Sequence, residues 1–245
     1  MVGRVADIFD TFTAQDDQLS ISEIARRSGL AKSTVSRIAT ELIEHQFLER
    51  DGSGVRLGLR LFELGETATR PRDLRRLALA SMSDLRSAVH LTVHLAVLEG
   101  AEVVYIEILA ARSIPQLPSR IGGRMPAYAT GVGKALLAWS EADIVDEILD
   151  GEFIKMGPNT VTDPAKLRRE LTRVRESGVA YEREESARGV ACAAAVIRNA
   201  SGDPIAAMSA TGWAKDIDVR RIGPAVHTAA QAVSRLAGRR PGLRL

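Results

Sequence analysis

Between Leu19 and residue 45 the chain leaves itself almost no freedom. Leu19-Ser20-Ile21-Ser22-Glu23-Ile24 is a helix-start signature. The Ser20 hydroxyl is placed to accept from the amide of Glu23, the Glu23 carboxylate to reach back to the amide of Ser20, and Leu19 to pack on Ile24. Such a cap is worth about 1 kcal/mol, enough to fix where a short helix begins. Gly29, suited to a left-handed turn, ends it. A second helix has to start almost at once, because Val35, Ile38, Ala39, Leu42 and Ile43 share one helical face. Phe47-Leu48-Glu49-Arg50, the turn Asp51-Gly52-Ser53-Gly54 and Val55-Arg56-Leu57 then predict a small hairpin. Upstream, Val5, Ile8, Phe9 and Phe12 repeat at helical spacing and add a first helix.

Helix, helix, helix, hairpin is the order of a winged helix-turn-helix, whose helix over 32–45 would enter a DNA major groove. With Val35, Ile38, Leu42 and Ile43 turned to the core, Ser33, Ser36, Arg37 and Thr40 project from the opposite side, with Lys32 at the leading end. Short hydroxyls around one Arg suit base edges and phosphates. Arg37 and Ser33 are assigned to base edges, and Lys32, Ser36, Arg50 and Arg56 to phosphates; Thr34 and Thr40 complete the DNA-facing set. A protein-interaction module without DNA binding is the alternative. Residues 1–70 hold more acids than bases, and the whole chain of 245 residues carries a formal charge of only +2. The bases Lys32, Arg37, Arg50 and Arg56, however, gather on the recognition helix and the wing.

Residues 59–72 predict a linker helix with Leu59, Phe62 and Leu64 on it. It is too short to bury its apolar side within one small module, and the same helix of a second copy is a fitting partner. Leu74, Leu77, Ala78, Met82 and Leu85 continue the helical pattern. From Leu91 the chain alternates. Leu91, Val93, Leu95 and Val97 point one way and Thr92, His94 and Ala96 the other, predicting a hairpin with one buried face. Helices follow over 132–139, 140–150 and 164–177, strands over 179–182, 190–197 and 205–211, and a closing helix over 218–236. The fold class is therefore α+β, a winged helix-turn-helix followed by a linker helix and an antiparallel sheet flanked by helices. The expected boundaries are 1–58, 59–72 and 73–238, with 239–245 a flexible tail.

The single Cys rules out an internal disulfide, and no apolar run reaches the ~20 residues of a membrane span. With no signal-like stretch at the N-terminus, a cytoplasmic, membrane-free protein is expected. Catalytic signals are weak, and no enzyme, cofactor or metal is expected. His90 and His94 have helical metal spacing but fall in or beside a strand, where four residues span about 13 Å. Gly131-Val132-Gly133-Lys134 lacks the earlier Gly and the following Ser/Thr of a phosphate loop. Cys192 sits in an apolar strand, and Glu184-Glu185 in a charged loop that reads as solvated. A catalytic second domain using Cys192 remains the enzyme alternative. Ala129-Thr130-Gly131-Val132-Gly133 opens a helix whose amides suit an anion. With Cys192, and with Ser209 and Thr211 on one strand face, it describes either a small-carboxylate pocket or ordinary core packing.

Four runs resemble the IclR-type bacterial transcriptional regulators: ISEIARRSGLAKSTVSR at 21–37, RLGLRL at 56–61, IGGRMPAYATGVGKA at 121–135 and GVACAA at 189–194. The resemblance implies a homodimer or dimer of dimers on double-stranded operator DNA. It also implies a GAF-like second domain that binds a small organic acid. Ile114, Leu117 and Met125 would line the pocket, the amides of Gly131 and Val132 would hold the carboxylate, and Glu182, Val190, Cys192, Ser209 and Thr211 would complete it. Small residues at Ala127, Ala193 and Ala194 leave room for an aromatic ring.

Overall fold

The computed structural model describes residues 1–13, 15–111, 117 and 119–239. The chain divides into two compact units, Met1–Thr69 and Arg70–Leu245. The predicted pocket residue Ile114 and positions 240–245 of the expected tail lie outside the described residues.

The first unit holds α1 (Val2–Phe9), α2 (Ile21–Ser28), α3 (Lys32–Glu44), the hairpin β1 (Leu48–Asp51) and β2 (Gly54–Leu57), and α4 (Leu59–Thr67). Ser20 caps α2 by accepting from the Glu23 amide at 3.1 Å, and Gly29 closes it at φ 70°. The second half of the expected capping box does not form. Glu23 instead takes Arg26 and Arg27 (2.6 and 2.7 Å), because a charge-assisted pair outbids a lone amide already open to water. Arg27 also grips Asp16 at 2.6 Å, bracing α2 to the preceding loop. Ile8, Leu19, Ile24, Val35, Ile38, Ala39, Leu42, Leu48 and Val55 form one core. Leu19 adds a bond the sequence did not signal: its amide and carbonyl exchange hydrogen bonds with Val55 (2.9 Å each), giving the wing a third edge. Gly58 is obligatory at the exit, since a Cβ there would lie 2.1 Å from the Gln46 carbonyl oxygen.

α4 buries no residue; Leu59 and Phe62 are 64% and 65% exposed. The linker expected over 59–72 spans the junction of two helices: the sequence reads helical over 58–69 and again over 71–89, and the break falls at Ala68, whose ψ of 102° is extended, before α5 (Thr69–Val89) starts afresh. Pro71 is accommodated because it falls in that helix's first turn, where no backbone N–H is needed.

The second unit is a six-stranded antiparallel sheet, β5-β4-β3-β8-β7-β6. Its strands are β3 (Thr92–Glu99), β4 (Glu102–Leu109), β5 (Arg124–Pro126), β6 (Ala180–Arg183), β7 (Val190–Arg198) and β8 (Pro204–Trp213). The sequence did not signal β5. α6 (Gly131–Leu137), α7 (Ala142–Leu149), α8 (Pro164–Ser177) and α9 (Val219–Gly238) complete the unit. Asp163 and Gly178 cap α8 as the sequence indicated.

The hairpin β3–β4 does not have the single buried face expected of it, since Thr92 to Val97 are all buried. One face carries Val93, Leu95, Met208 and Ala193 into a core with α5 and α9; the other carries Ala96, Ala194 and Ala207 into a core with α6 and α8. Strand alternation thus puts Ala193 on the face away from α6, so it cannot make room there for a ligand. Tyr128 is likewise engaged elsewhere: its hydroxyl donates to the Ile154 carbonyl and accepts from the Ile154 amide.

Candidate functional site

On α3, Val35, Ile38, Ala39 and Leu42 are buried, while Lys32, Ser33, Ser36, Arg37 and Thr40 are exposed; Thr34 is half-buried. Helical geometry alone separates these sets, because positions three and four apart share a face. Among the described residues neither Lys32 nor Arg37 has an ion-pair partner, so Arg37 stands free in a row of small hydroxyls. Thr40 returns its hydroxyl to the Ser36 carbonyl at 3.0 Å. On the wing Arg50 is exposed, whereas Arg56 is already engaged: it donates to Glu49 at 2.9 and 3.0 Å and lies 3.6 Å from Asp51. The exposed face of α3 is rich in hydrogen-bond donors.

In the second unit, Leu117, Met125, Gly131, Val132, Glu182, Val190, Cys192, Ser209 and Thr211 surround one cavity of about 30 Å³. Sheet register is what gathers them. Glu182 pairs with Cys192, Cys192 with Thr211, and Thr211 with Thr92, so one polar row crosses four strands. The next row is Ala180, Ala194, Ser209 and His94. α6 packs on this face so closely that a Cβ at Gly131 would sit 2.5 Å from the Cys192 sulfur. Thr130 caps α6 by accepting from the Gly133 amide at 3.0 Å.

Sequence reasoning missed His94, Tyr105, Ser119 and Ser186 as cavity residues, whereas Thr130 lay within the helix start it had marked. His94 was legible as one position of an alternating strand and as half of a discarded metal pair with His90; its neighbours come from β8 and from the segment before β5. Ser119 lies 2.8 Å from its Nε2, while Thr211 and Ser209 lie 3.2 and 3.5 Å from its Nδ1. Burial pulls the imidazole down to about 4, so it is neutral at physiological pH.

The acidic side of the cavity is self-satisfied. Glu182 is pushed up by burial, against the pull of the Ser186 and Glu185 amides that donate to it. Burial pushes the Cys192 thiol well up, with Glu182 adding to the rise, so the sulfur is held as a thiol. A protonated, buried sulfur is a poor nucleophile.

Behind α6, Lys134 is fully buried and donates to Glu170, Glu185 (2.7 Å) and the Tyr181 carbonyl (2.9 Å). Burial pulls its ammonium down, but Glu185 and Glu170 outweigh that and hold it up. Glu185 was expected to be solvated and is buried instead, pushed up to about 7 by burial against the pull of Lys134. The loop carrying it folds back under α6, which the local charge pattern could not reveal. Among the described residues no cluster of His, Cys, Asp and Glu has metal-binding geometry, and no helix is long and apolar enough to cross a membrane.

Comparison with known proteins gives the same two parts. Residues 1–52 match the IclR helix-turn-helix domain, and residues 66–235 match the family described as bacterial transcriptional regulator IclR C-terminal. The HTH-type transcriptional regulator XynR of Escherichia coli is 32% identical over 243 residues, covering 97% of this chain and 96% of that protein. An IclR homolog from Microbacterium hydrocarbonoxydans, solved in complex with 4-hydroxybenzoate, superposes with a TM-score of 0.89 at 31% identity, covering 97% of this chain and 98% of that one. The IclR of Thermotoga maritima gives 0.78 at 29%, with the same coverage. The chain belongs to the IclR family of bacterial DNA-binding transcriptional regulators.

Proposed function

We propose that this chain is a non-catalytic, ligand-responsive regulator in the cytoplasm. Residues 1–58 read operator DNA, 59–72 link, and 73–238 bind a small carboxylic acid. The observation that carries the reading is the unpaired Arg37 among Ser33, Ser36 and Thr40 on an exposed helix face. Arg37 and Ser33 contact base edges, while Lys32, Ser36, Arg50 and Arg56 contact phosphates, with Thr34 and Thr40 beside them. Arg56 would exchange part of its bond to Glu49 for a phosphate. The exposed Leu59 and Phe62 of α4 favour pairing with a second copy, placing two heads on a two-fold operator as a homodimer or dimer of dimers.

The acid binds among the Gly131 and Val132 amides, Ser209 and Thr211, against Leu117, Met125, Val190 and Cys192. The similar protein that holds 4-hydroxybenzoate supports an aromatic acid. The present cavity has room for a water or two. An acid therefore binds a more open state, and that differential affinity is what lets it bias operator binding.

Fluorescence anisotropy with duplex from the region upstream of the gene tests the first half. Specific binding that weakens steeply with salt and is absent for a scrambled duplex is expected; no binding to any duplex overturns it. A thermal-shift screen of carboxylic acids tests the second, because a ligand that binds only the folded chain raises its melting temperature. The shift should vanish in Ser209→Ala.

A further inference from the structure

We propose that His94 determines what the pocket accepts: its Nδ1 edge sets Ser209 and Thr211 as donors toward an anion, and its Nε2 edge sets the matching polarity of Ser119. This rests on the reading of the cavity as a carboxylate site. No residue of the resemblance or of the polar row pointed to His94; the register His94↔Ser209 and Thr92↔Thr211 did.

A neutral imidazole has one N–H and one bare nitrogen, and each hydroxyl has one proton to give. Nδ1 is shared by Thr211 at 3.2 Å and Ser209 at 3.5 Å, and those two oxygens are 3.4 Å apart. If Nδ1 is bare, one of the two hydroxyls spends its proton on the ring, and only the other has one left for a ligand. If Nδ1 carries the proton, it donates to the Thr211 oxygen, and a hydroxyl proton is released toward the cavity. An oxyanion that takes both hydroxyls is compatible only with the second arrangement, while a ligand group that donates favours the first.

The rest of the cavity makes this choice matter. Glu182 is already engaged as an acceptor by the Glu185 and Ser186 amides. Burial keeps His94 neutral, so it answers by changing tautomer, not charge. The ring keeps one proton throughout and exchanges it through water. When Nδ1 is the donor, Nε2 is bare and accepts from Ser119 at 2.8 Å. A ligand on the sheet floor thereby fixes a hydroxyl in the segment that precedes β5, two residues after Leu117.

The test uses the full chain with 4-hydroxybenzoate and its neutral counterpart 4-hydroxybenzamide as probes. Calorimetry gives the ratio of their affinities for the wild type, His94→Leu and His94→Asn. Asparagine keeps a donor near the Nδ1 position and leucine does not. The preference for the carboxylate should fall at least tenfold in His94→Leu and stay within threefold in His94→Asn. Nitrogen-15 NMR of the histidine rings in the wild type should show Nδ1–H once 4-hydroxybenzoate is bound. An unchanged ratio in both variants, or a bare Nδ1 in the carboxylate complex, overturns the role of His94 and leaves the pocket reading standing. Failure of the wild type to bind any carboxylate from acetate to 4-hydroxybenzoate overturns both.

Discussion

The exposed face of α3 and the sheet floor under α6 are built from the same chemistry and treat it in opposite ways. On α3, Ser33 and Ser36 flank Arg37 and are left to water, while Thr40 bonds only the Ser36 carbonyl of its own helix. On the floor, Ser119, Ser209 and Thr211 surround His94 and are bound to it and to one another. The reason is the cost of desolvation. A surface donor loses little by having no protein partner, whereas a buried one without a partner costs about 1–3 kcal/mol. The surface can therefore be specified residue by residue. The interior has to be specified as a network, and its members constrain one another's protons.

The largest expected effect is at Lys134. Replacing it with Ala leaves Glu170 and Glu185 beside an empty buried site, and removing one partner of such a pair costs about 3–5 kcal/mol. Chemical denaturation should show that loss, and Lys134→Met combined with Glu185→Gln should recover much of it. A wild-type midpoint for Lys134→Ala would break the claim that the interior works as a network.

Arg37→Ala is the surface counterpart. Stability should stay within about 0.5 kcal/mol, while competition between operator and mismatched duplexes should show discrimination reduced by about 1–3 kcal/mol. An equal loss on every sequence would reassign Arg37 to phosphate contact. Ser20→Ala comes next, at about 1 kcal/mol in a thermal melt, since it removes the side-chain cap of α2 and nothing else.

The smallest effect is a pH dependence. Glu185 in the folded chain stands at about 7 against an ordinary 4.5. A carboxyl raised on folding stabilises fully below its unfolded value, and that contribution is lost as pH rises through its folded value. Relative to Glu185→Gln, the wild type should therefore melt higher at pH 5 than at pH 8. The opposite trend would mean that Lys134 outweighs burial.

The two units were not equally legible in the sequence. In the first, each inference needed only near neighbours in sequence: Ser20 and Glu23, Gly29, the alternation of Val35 and Ile38 with Ser36 and Arg37, and the wing turn at Gly52. Local backbone geometry decides such features. Even there Leu19 and Val55, far apart in the chain, pair unannounced.

What the sequence by itself determined is thus most of the elements, the exposed side of α3 and the family. Only the tertiary structure decided that both faces of β3 are buried, that Ala193 faces away from α6, that Glu185 lies under Lys134, and that His94 meets Ser119, Ser209 and Thr211. Those outcomes depend on strand register and on which helix covers which face. Register is fixed by pairing between residues more than a hundred positions apart, as His94 and Ser209 are, and no window of local sequence contains both partners.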